Sequence, residues 1–363
     1  MSFQRIAIWG LGLMGGSLAA ALKARGHPSQ IIGISSPSSL EKAQAADLVD
    51  EGFGHDRFEE AVSDCDLVVL ASPIQTILDN LDRLGTALRP GTVVTDVGST
   101  KEVIVDRARR ALREGVVFIG SHPMAGSEAR GIAAADAYLY ENAVWVLTPI
   151  DESPEVARLT ALAEFVGSKV VVLDPARHDR IAARISHLPQ TLAIALMNQA
   201  GDWHAQDDLT LRLAAGGFRD LTRIASSPYE MWRDIYATNG EAVLDSLDDL
   251  IHRLLTIRTA VADGTLRGAF ERANRLRLNV PRDTKGFLRP LQDVMVVVHD
   301  EPGVLARIAS SLATSSINIR DIEVLKVREG EGGTMRLAFD DTETAERAVE
   351  RLTDEGLRAW TRE

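Results

Sequence analysis

Two short segments of the sequence place a histidine next to small and turn-forming residues. His122 lies in GSHPMAGSE, directly after the apolar run at residues 116–119, and His187 lies in SHLP. An imidazole at the end of a buried strand can accept a proton near neutral pH, which suits a general base. For each histidine the alternative is a structural role, as a hydrogen-bonding or capping side chain. A third histidine, His178, follows Pro175 and indicates only the start of a helix.

A pair of arginines in GGFRDLTR is the candidate site for an anionic substrate. Arg219 and Arg223 are four residues apart and follow Gly216 and Gly217, which permit close approach of a ligand. The planar guanidinium group binds both oxygens of a carboxylate. The alternative is a solvent-exposed pair flanking Asp220. The spacing leaves both interpretations open.

Metal ligands are not clustered in the sequence. The eight histidines are scattered and Cys65 is the single cysteine, so neither a cysteine-based metal cluster nor an internal disulfide can form. We therefore predict no metal site. The cysteine content fits a reducing compartment, and the expected localisation is the cytoplasm.

A glycine-rich segment near the N-terminus predicts a dinucleotide site. The sequence IAIWGLGLMGG joins a short apolar run to a helix-forming stretch. In this pattern the first glycine permits a tight turn, the second lets a pyrophosphate approach the backbone, and the third lets helix and strand pack closely. The N–H groups at the start of the helix then bind phosphate. The predicted cofactor contacts at this turn are Gly10, Leu11, Gly12, Leu13, Met14 and Gly15.

The ribose end of the cofactor is predicted at the end of the second strand, residues 30–34. An NAD-binding fold commonly has an acidic residue there, whereas this sequence has Ser35 and Ser36. No carboxylate repels a 2′-phosphate and no arginine binds one, so these residues leave the choice between NAD and NADP open. Ser72 and Pro73 follow a later strand and complete the predicted cofactor contacts.

Alternating strands and helices predict an α/β fold with a Rossmann-type, doubly wound and mostly parallel sheet over residues 1–174. In such a sheet, ligands bind beyond the carboxyl ends of the strands. This rule places Ser72, Ser99 and His122 on one rim, at the nicotinamide end of a dinucleotide.

The rest of the chain is predicted to form two further domains. Helical periodicity dominates residues 175–280, the expected all-helical substrate and dimerisation domain. Residues 281–290 are typical of a linker. Residues 291–363 follow the βαββαβ order of a ferredoxin-like module.

Composition and charge restrict the partners. The 363-residue chain has a net charge of −12 and no basic patch, which argues against nucleic acid and anionic membranes. No apolar run reaches the roughly 20 residues of a membrane span, and no signal peptide is recognisable. Apolar residues recur at helical spacing over residues 241–261, which indicates core or subunit interface. A homodimer is expected, since cyclic dimers are the commonest oligomers.

Taken together, these segments resemble the prephenate/arogenate dehydrogenase family of tyrosine biosynthesis, with a C-terminal ACT domain. The resemblance covers residues 5–275 in the family's order and spacing. The matching segments are GLGLMGGS (10–17), SP (72–73), DVGSTK (96–101), SHPMAGSE (121–128), SHLPQ (186–190), GGFRDLTRIASS (216–227) and MWRDI (231–235). The ACT resemblance rests on DEPGVL (300–305) and INI (317–319).

The resemblance implies oxidative decarboxylation of prephenate to 4-hydroxyphenylpyruvate, with hydride passing to a nicotinamide. By motif, His122 hydrogen-bonds the substrate 4-hydroxyl and takes its proton, supported by Ser99. Arg223 binds a substrate carboxylate. The substrate pocket is then expected to include His187, Ser127, Glu128, Arg219 and Trp232, with Trp232 reaching a neighbouring subunit's site.

Two departures from the family pattern leave alternatives open. Gln190 stands where many members have histidine, so arogenate is the alternative substrate. Ser35 replaces the acidic ribose ligand, so NADP is not excluded, although the resemblance favours NAD, the commoner cofactor of microbial prephenate enzymes. One rival class is a β-hydroxyacid dehydrogenase, which lacks the paired SHP and SHLP histidines. The other is a non-catalytic amino-acid sensor.

The ACT resemblance implies control by an amino acid. In such modules the ligand lies near the turn before the first helix and near a neighbouring asparagine. The expected regulatory residues are Gly303, Val304, Leu305 and Asn318. Feedback inhibition by L-tyrosine is the hypothesis.

Overall fold

The computed structural model describes residues 2–85, 87–126, 129–277, 291–299, 301–328 and 332–361. The chain divides into two compact units, Met1–Gly264 and Thr265–Glu363. The predicted linker at 281–290 lies outside the described residues.

An eight-stranded sheet forms the centre of the first unit, in the order β3-β2-β1-β4-β5-β6-β7-β8. Every neighbouring pair is parallel except β6 and β7, which are antiparallel. The Rossmann-type, mostly parallel prediction is therefore confirmed. The strands are β1 (Arg5–Trp9), β2 (Gln30–Ile34), β3 (Glu51–Phe53), β4 (Leu67–Leu70), β5 (Val93–Asp96), β6 (Val117–Pro123), β7 (Val144–Pro149) and β8 (Lys169–Val172).

Helices cover both faces of this sheet. Along β1, Ile6 and Ile8 enter one hydrophobic cluster, whereas Ala7 and Trp9 enter the cluster on the opposite face. Side chains alternate between the faces of a strand, so a strand buried on both sides is an unbroken apolar run. The helices of this part are α1 (Leu13–Ala24), α2 (Pro37–Ala45), α3 (Phe58–Val62), α4 (Ile74–Leu84), α5 (Glu102–Ala111) and α6 (Pro154–Phe165), with short 3-10 turns at His55–Arg57 and Ile132–Ala134.

The region after β8 is entirely helical, as predicted. Its elements are α7 (Pro175–Ala182), a π turn (Ala183–His187), α8 (Leu188–His204), α9 (Leu209–Arg212), α10 (Gly216–Thr222), a 3-10 turn (Arg223–Ser226) and α11 (Tyr229–Ala262). The π turn has a local cause: Pro189 has no N–H and its ring would clash with the carbonyl four residues earlier. A wider turn accommodates that defect and is frequent at functional sites.

Helix α11 is longer than the periodic stretch in the sequence. Its first turns pack Trp232 and Ile235 against the sheet core. At Asn239 the backbone leaves helical geometry, with φ −133° and ψ 23°. Beyond that kink the helix exposes a row of large apolar side chains: Leu244, Ile251, Leu254, Leu255, Ile257 and Val261. None of the described helices is both long and apolar enough to cross a bilayer.

The second unit contains a four-stranded antiparallel sheet in the order β10-β11-β9-β12. Its apolar face packs on two helices, and the chain order from β9 onwards is βαββαβ, so the ferredoxin-like prediction is confirmed. The elements are α12 (Arg267–Arg277), β9 (Gln292–Val298), α13 (Val304–Thr314), β10 (Asp321–Arg328), β11 (Gly332–Phe339), α14 (Thr342–Asp354) and β12 (Arg358–Thr361).

Candidate active site

The glycine turn between β1 and α1 has the geometry of a dinucleotide cradle. Gly10 has φ +110°, and a Cβ there would lie 2.5 Å from the Ala71 carbonyl oxygen. A Cβ at Gly15 would overlap the Gly10 carbonyl oxygen, so the helix can approach the strand only without one. At Gly12, by contrast, a Cβ would meet nothing within 4 Å, which leaves this side of the turn open to a ligand.

The start of α1 is suited to phosphate. Among the described residues no side chain caps this helix, and its first turn contains no acidic residue. The backbone N–H groups of the first turn are therefore available to an anion, and the helix dipole favours one. Leu11 is buried, and the Met14 carbonyl accepts a hydrogen bond from the Tyr140 hydroxyl at 2.6 Å, which fixes the turn from below. These residues fit the pyrophosphate of NAD.

The other predicted cofactor residues lie at the ends of β2 and β4. Ser35 is buried, and the Ser36 hydroxyl accepts a hydrogen bond from the Ser39 N–H at 3.4 Å and so caps α2. Ser72 donates to the Trp9 carbonyl at 3.2 Å. Both strand ends therefore carry hydroxyl groups at the rim where a dinucleotide lies.

A buried ion pair fixes the strand ends that carry the chemistry. The Lys101 ammonium group, fully buried, pairs with the Asp96 carboxylate and donates to the Ser121 carbonyl at 2.8 Å. The same carboxylate accepts the Gly98 N–H at 2.8 Å and the Ser121 N–H at 3.0 Å. Burial lowers the pKa of Lys101, and the neighbouring Asp96 opposes that shift. The ends of β5 and β6 are thereby held together beside His122.

His122 is hydrogen-bonded to a second histidine. Its Nδ1 lies 2.9 Å from His178 Nε2, and the two rings meet edge to face with centroids 5.1 Å apart. His178 Nδ1 in turn lies 2.7 Å from an Asp179 carboxylate oxygen. Burial lowers the pKa of His122 well below 6.5, and His178, Lys101 and His187 add to the shift. His122 is therefore neutral at physiological pH.

His122, His178 and Asp179 form a line of hydrogen-bonded side chains, and Asp179 connects this line to the nucleotide-binding sheet. Its carboxylate accepts the backbone N–H groups of Lys101 at 2.7 Å and Glu102 at 2.9 Å, at the start of α5. A carboxylate at a helix N-terminus is stabilised by these N–H groups and by the helix dipole. Asp179 is almost completely buried, so α7 and α5 are joined through a charge that solvent does not reach.

His187 is the last residue of the π turn, and its hydrogen-bond partner is an amide rather than an imidazole. Asn239 Nδ2 lies 2.9 Å from the Asp179 carbonyl oxygen and 3.2 Å from His187 Nδ1. The carbonyl can only accept, so it takes one amide hydrogen and the other points at His187 Nδ1. Burial lowers the pKa of His187 to about 4, so the ring is neutral and carries its proton on Nε2. His187 thus offers a donor.

Comparisons with known proteins match this architecture domain by domain. Residues 18–172 match the prephenate dehydrogenase nucleotide-binding domain, 174–272 the prephenate dehydrogenase dimerization domain, and 294–355 an AHAS small subunit-like ACT domain. Prephenate dehydrogenase of Bacillus subtilis is 38% identical over 359 residues, which cover 95% of each chain. The chain belongs to the prephenate dehydrogenase family.

Two solved structures of the family resemble the fold closely. The A. aeolicus prephenate dehydrogenase, solved with hydroxyphenyl propionate and NAD+, has a TM-score of 0.70 and 31% identity, covering 76% of this chain and 97% of that one. The Synechocystis arogenate dehydrogenase has a TM-score of 0.67 and 34% identity, covering 76% of this chain and 99% of that one. The expected NAD-binding oxidoreductase with an ACT domain is therefore confirmed.

Three further predicted site residues lie on the loop after β5 and in the helical region. Ser99 lies in the loop between β5 and α5, partly exposed, but the partner of His122 Nδ1 is His178. Arg219 and Arg223 are exposed, on α10 and on the 3-10 turn, and both elements pack against α8. Their role in binding substrate stays a prediction. The other two pocket residues, Ser127 and Glu128, lie outside the described residues.

Trp232 packs against residues of its own chain. The residue is 9% exposed, and its ring lies against His187 and Tyr236, with ring centroids 5.9 Å apart in both cases. It therefore supports the His187 ring, and its contact with a neighbouring subunit's site stays a prediction. Gln190, one helical turn after His187, is 1% exposed and both of its amide atoms lack a hydrogen-bond partner in the described chain.

Sequence reasoning missed several members of this site: His178, Asp179, Asn239 and Lys101. The sequence predicts only the start of a helix at His178, and no spacing links that residue to His122. Across the described residues, no group of three or more His, Cys, Asp or Glu side chains is arranged to hold a metal ion.

Proposed function

We propose that the chain oxidises and decarboxylates prephenate to 4-hydroxyphenylpyruvate with NAD+, in tyrosine biosynthesis. The observation that carries this proposal is the neutral His122 at the rim of the nucleotide-binding sheet, with its Nδ1 engaged by His178. That arrangement leaves Nε2 to face a substrate hydroxyl. The family membership and the likeness to an enzyme solved with NAD+ support the same reaction.

The chain's residues have a limited task, because the substrate supplies most of the driving force. Bound NAD+ supplies the acceptor for the hydride that leaves the carbinol carbon. His122 holds the hydroxyl proton while the carbon–oxygen double bond develops. The bond to the ring carboxylate then breaks, its electron pair enters the ring, and CO2 leaves. The aromatic product is a phenol, so the proton on His122 returns to that oxygen and no net proton is released.

Orientation is the protein's second contribution. Hydride transfer requires the carbinol hydrogen to face the nicotinamide at close range. His187 Nε2 offers a hydrogen-bond donor to a substrate oxygen, and Arg223, together with Arg219, is proposed to bind a substrate carboxylate. Gln190 has an amide donor and acceptor without partners, which suits the side chain that distinguishes prephenate from arogenate. Arogenate remains the second candidate substrate, since the Synechocystis arogenate dehydrogenase is among the similar structures.

One spectrophotometric assay tests the proposal. Reduced nicotinamide is followed with prephenate, arogenate or a 3-hydroxyacid, each with NAD+ or NADP+. We expect the highest kcat/KM with prephenate and NAD+. A higher kcat/KM with arogenate would reassign the substrate. Turnover of the 3-hydroxyacid alone would make the chain a β-hydroxyacid dehydrogenase, and no turnover at all would favour an amino-acid sensor.

We further propose a homodimer that L-tyrosine inhibits. The dimerization-domain match and the exposed apolar row on α11 support the dimer. Regulation is proposed at the start of α13, where Gly303 has φ +93° and Leu305 and Asn318 are exposed. Sedimentation measures the oligomeric state, and the assay with added L-tyrosine measures inhibition. The Asn318→Ala variant should lose inhibition and keep its uninhibited rate.

A further inference from the structure

We infer that Asp179, acting through His178, fixes the tautomer of His122 and so makes its Nε2 the proton acceptor. His178 and Asp179 are positioning residues in this proposal, because they touch His122 rather than the reacting atoms. The inference rests on the proposed function in one respect only, the assignment of His122 as the group that takes the substrate proton. The tautomer itself is a property of the folded chain and can be measured without a substrate.

The direction of the hydrogen bonds is set at Asp179. Its carboxylate accepts two backbone N–H groups at the start of α5, at 2.7 Å and 2.9 Å, and these stabilise the ionised form. An ionised carboxylate can only accept, so the contact of 2.7 Å with His178 must carry its hydrogen on His178 Nδ1. The buried position of both groups keeps water from competing for that hydrogen bond.

The hydrogen bond between His178 and His122 then has one possible direction when both imidazoles are neutral. A neutral imidazole has a single N–H, and that of His178 is used at Asp179. His178 Nε2 is therefore an acceptor, and the hydrogen in the contact of 2.9 Å belongs to His122 Nδ1. His122 in turn has no hydrogen on Nε2. The carboxylate thus determines, two hydrogen bonds away, which nitrogen of His122 can take a proton.

The same line of contacts stabilises the charge that forms during the reaction. When His122 takes the substrate proton it becomes a cation in a half-buried place, which costs free energy unless the charge is compensated. Its Nδ1–H already points at His178 Nε2, and His178 points at the Asp179 anion. The developing charge is therefore directed towards a carboxylate, and the proton can return to the phenolate oxygen without rearrangement of the side chains.

The substitution Asp179→Leu removes the acceptor that sets the direction of the hydrogen bonds. Asparagine is unsuitable, because Oδ1 accepts both the Lys101 N–H and the His178 Nδ1–H and an amide oxygen could still accept both. In the leucine variant nothing holds the His178 hydrogen on Nδ1, so His178 can carry it on Nε2 and donate to His122 Nδ1, which leaves the His122 hydrogen on Nε2. We expect kcat to fall at least about a hundredfold with KM changed less than about threefold, since a base in the wrong tautomer and without the carboxylate still permits binding.

A matched control is available on the same helix. The Asp174 carboxylate accepts the Arg177 N–H at 3.0 Å and caps α7, but it contacts neither imidazole. Asp174→Asn therefore removes a helix-capping charge and leaves the line of side chains intact. We expect it to keep the wild-type kcat and the wild-type tautomer.

The decisive measurement is the ring 15N spectrum of histidine-labelled full-length protein. Two-bond 1H–15N correlations distinguish Nδ1–H from Nε2–H tautomers, and loss of one spin system in His122→Asn assigns the residue. Wild type and Asp174→Asn should show His122 with its hydrogen on Nδ1 alone, and Asp179→Leu should show the Nε2–H form as well. A wild-type His122 with its hydrogen on Nε2, or an Asp179→Leu protein that keeps it on Nδ1 alone, would overturn the inference.

A second pair of variants covers the case in which Asp179→Leu does not fold. His178→Phe keeps a ring of similar volume but accepts no hydrogen bond, whereas His178→Gln has a carbonyl that can accept from His122 Nδ1. We expect His178→Gln to keep at least about tenfold more kcat than His178→Phe. If the residue only filled space, phenylalanine would be the better replacement. A wild-type chain without dehydrogenase activity would defeat the proposed function and leave the spectrum as a separate test.

Discussion

His122 and His187 are both buried enough to stay neutral, yet the chain gives them opposite hydrogen-bonding partners. His122 Nδ1 is hydrogen-bonded to His178, which is hydrogen-bonded to the Asp179 carboxylate, so His122 Nε2 is an acceptor. His187 Nδ1 accepts a hydrogen bond from the Asn239 amide, so His187 Nε2 is a donor. Burial keeps each imidazole neutral, but the group that is hydrogen-bonded to Nδ1 determines whether Nε2 accepts or donates a hydrogen bond. The difference between the two histidines is therefore set by Asp179 and Asn239.

The largest effect is expected from removing the acceptor. His122→Asn should lower kcat by roughly a thousandfold, within the 10²–10⁴ range of a general base, while KM changes little. Steady-state kinetics with prephenate measure both constants. The matched change His299→Asn, at an exposed histidine after β9, should alter neither. An unchanged kcat in His122→Asn would remove His122 from the mechanism.

The burial of the histidines predicts how the free energy of unfolding depends on pH. Burial holds the pKa of His187 at about 4, below the value of about 6.5 in an unfolded chain. Between these values the unfolded state binds a proton that the folded state does not, so the free energy of unfolding falls as the pH falls. We expect a loss of about 3 kcal/mol from this residue between pH 6.5 and 4. Urea unfolding of wild type and His187→Asn measures it, and an equal pH dependence in both would contradict it.

Arg223 should act on binding rather than on turnover, in contrast to His122. Arg223→Ala removes charge-assisted hydrogen bonds worth about 1.5–3 kcal/mol, so KM should rise roughly ten- to a hundredfold. The kcat value should change less than KM does. Arg212→Ala serves as the control, because Arg212 is exposed on α9 and pairs only loosely with Asp208 at 3.5 Å. A wild-type KM in Arg223→Ala would place the carboxylate elsewhere.

The smallest effect is expected from making the two histidines alike. Asn239→Asp replaces the amide donor with a carboxylate, so His187 would carry its hydrogen on Nδ1 and its pKa would rise above about 4. We expect kcat/KM to fall by about tenfold, the loss of one hydrogen bond. Ring 15N shifts of His187 against pH measure the change. Asn198→Asp adds the same charge at an exposed site on α8 and should leave His187 unaltered.

Local features of this fold were predictable from the sequence, and features set by distant contacts were not. The glycine turn and most sheet strands were predicted because their signals lie within a few residues. Strand β3 was missed because it has three residues and includes Gly52. The reversed direction of β7 has no signature in the strand itself, since an apolar run reads the same for either direction.

In the candidate site, too, residues with a local sequence signal were predicted and residues defined by distant contacts were not. His122 was found from its place after a strand, because the end of a strand is where an α/β sheet binds ligands. His178 was missed because its importance comes from a contact across 56 positions of the chain. Asn239 was missed because its role depends on a helix kink that the sequence marks only by the following Gly240.

The π turn before α8 gives the fold a sensitivity to chain length. A π turn holds one residue more than an α-helical turn, and each residue of an α-helix advances the side chain by about 100°. Loss of a single residue from Ala183–His187 would restore a regular helix and swing one imidazole a quarter-turn or more away from the other. A single-codon deletion in this segment is therefore expected to misplace His187 relative to His178, which lies nine positions earlier in the chain.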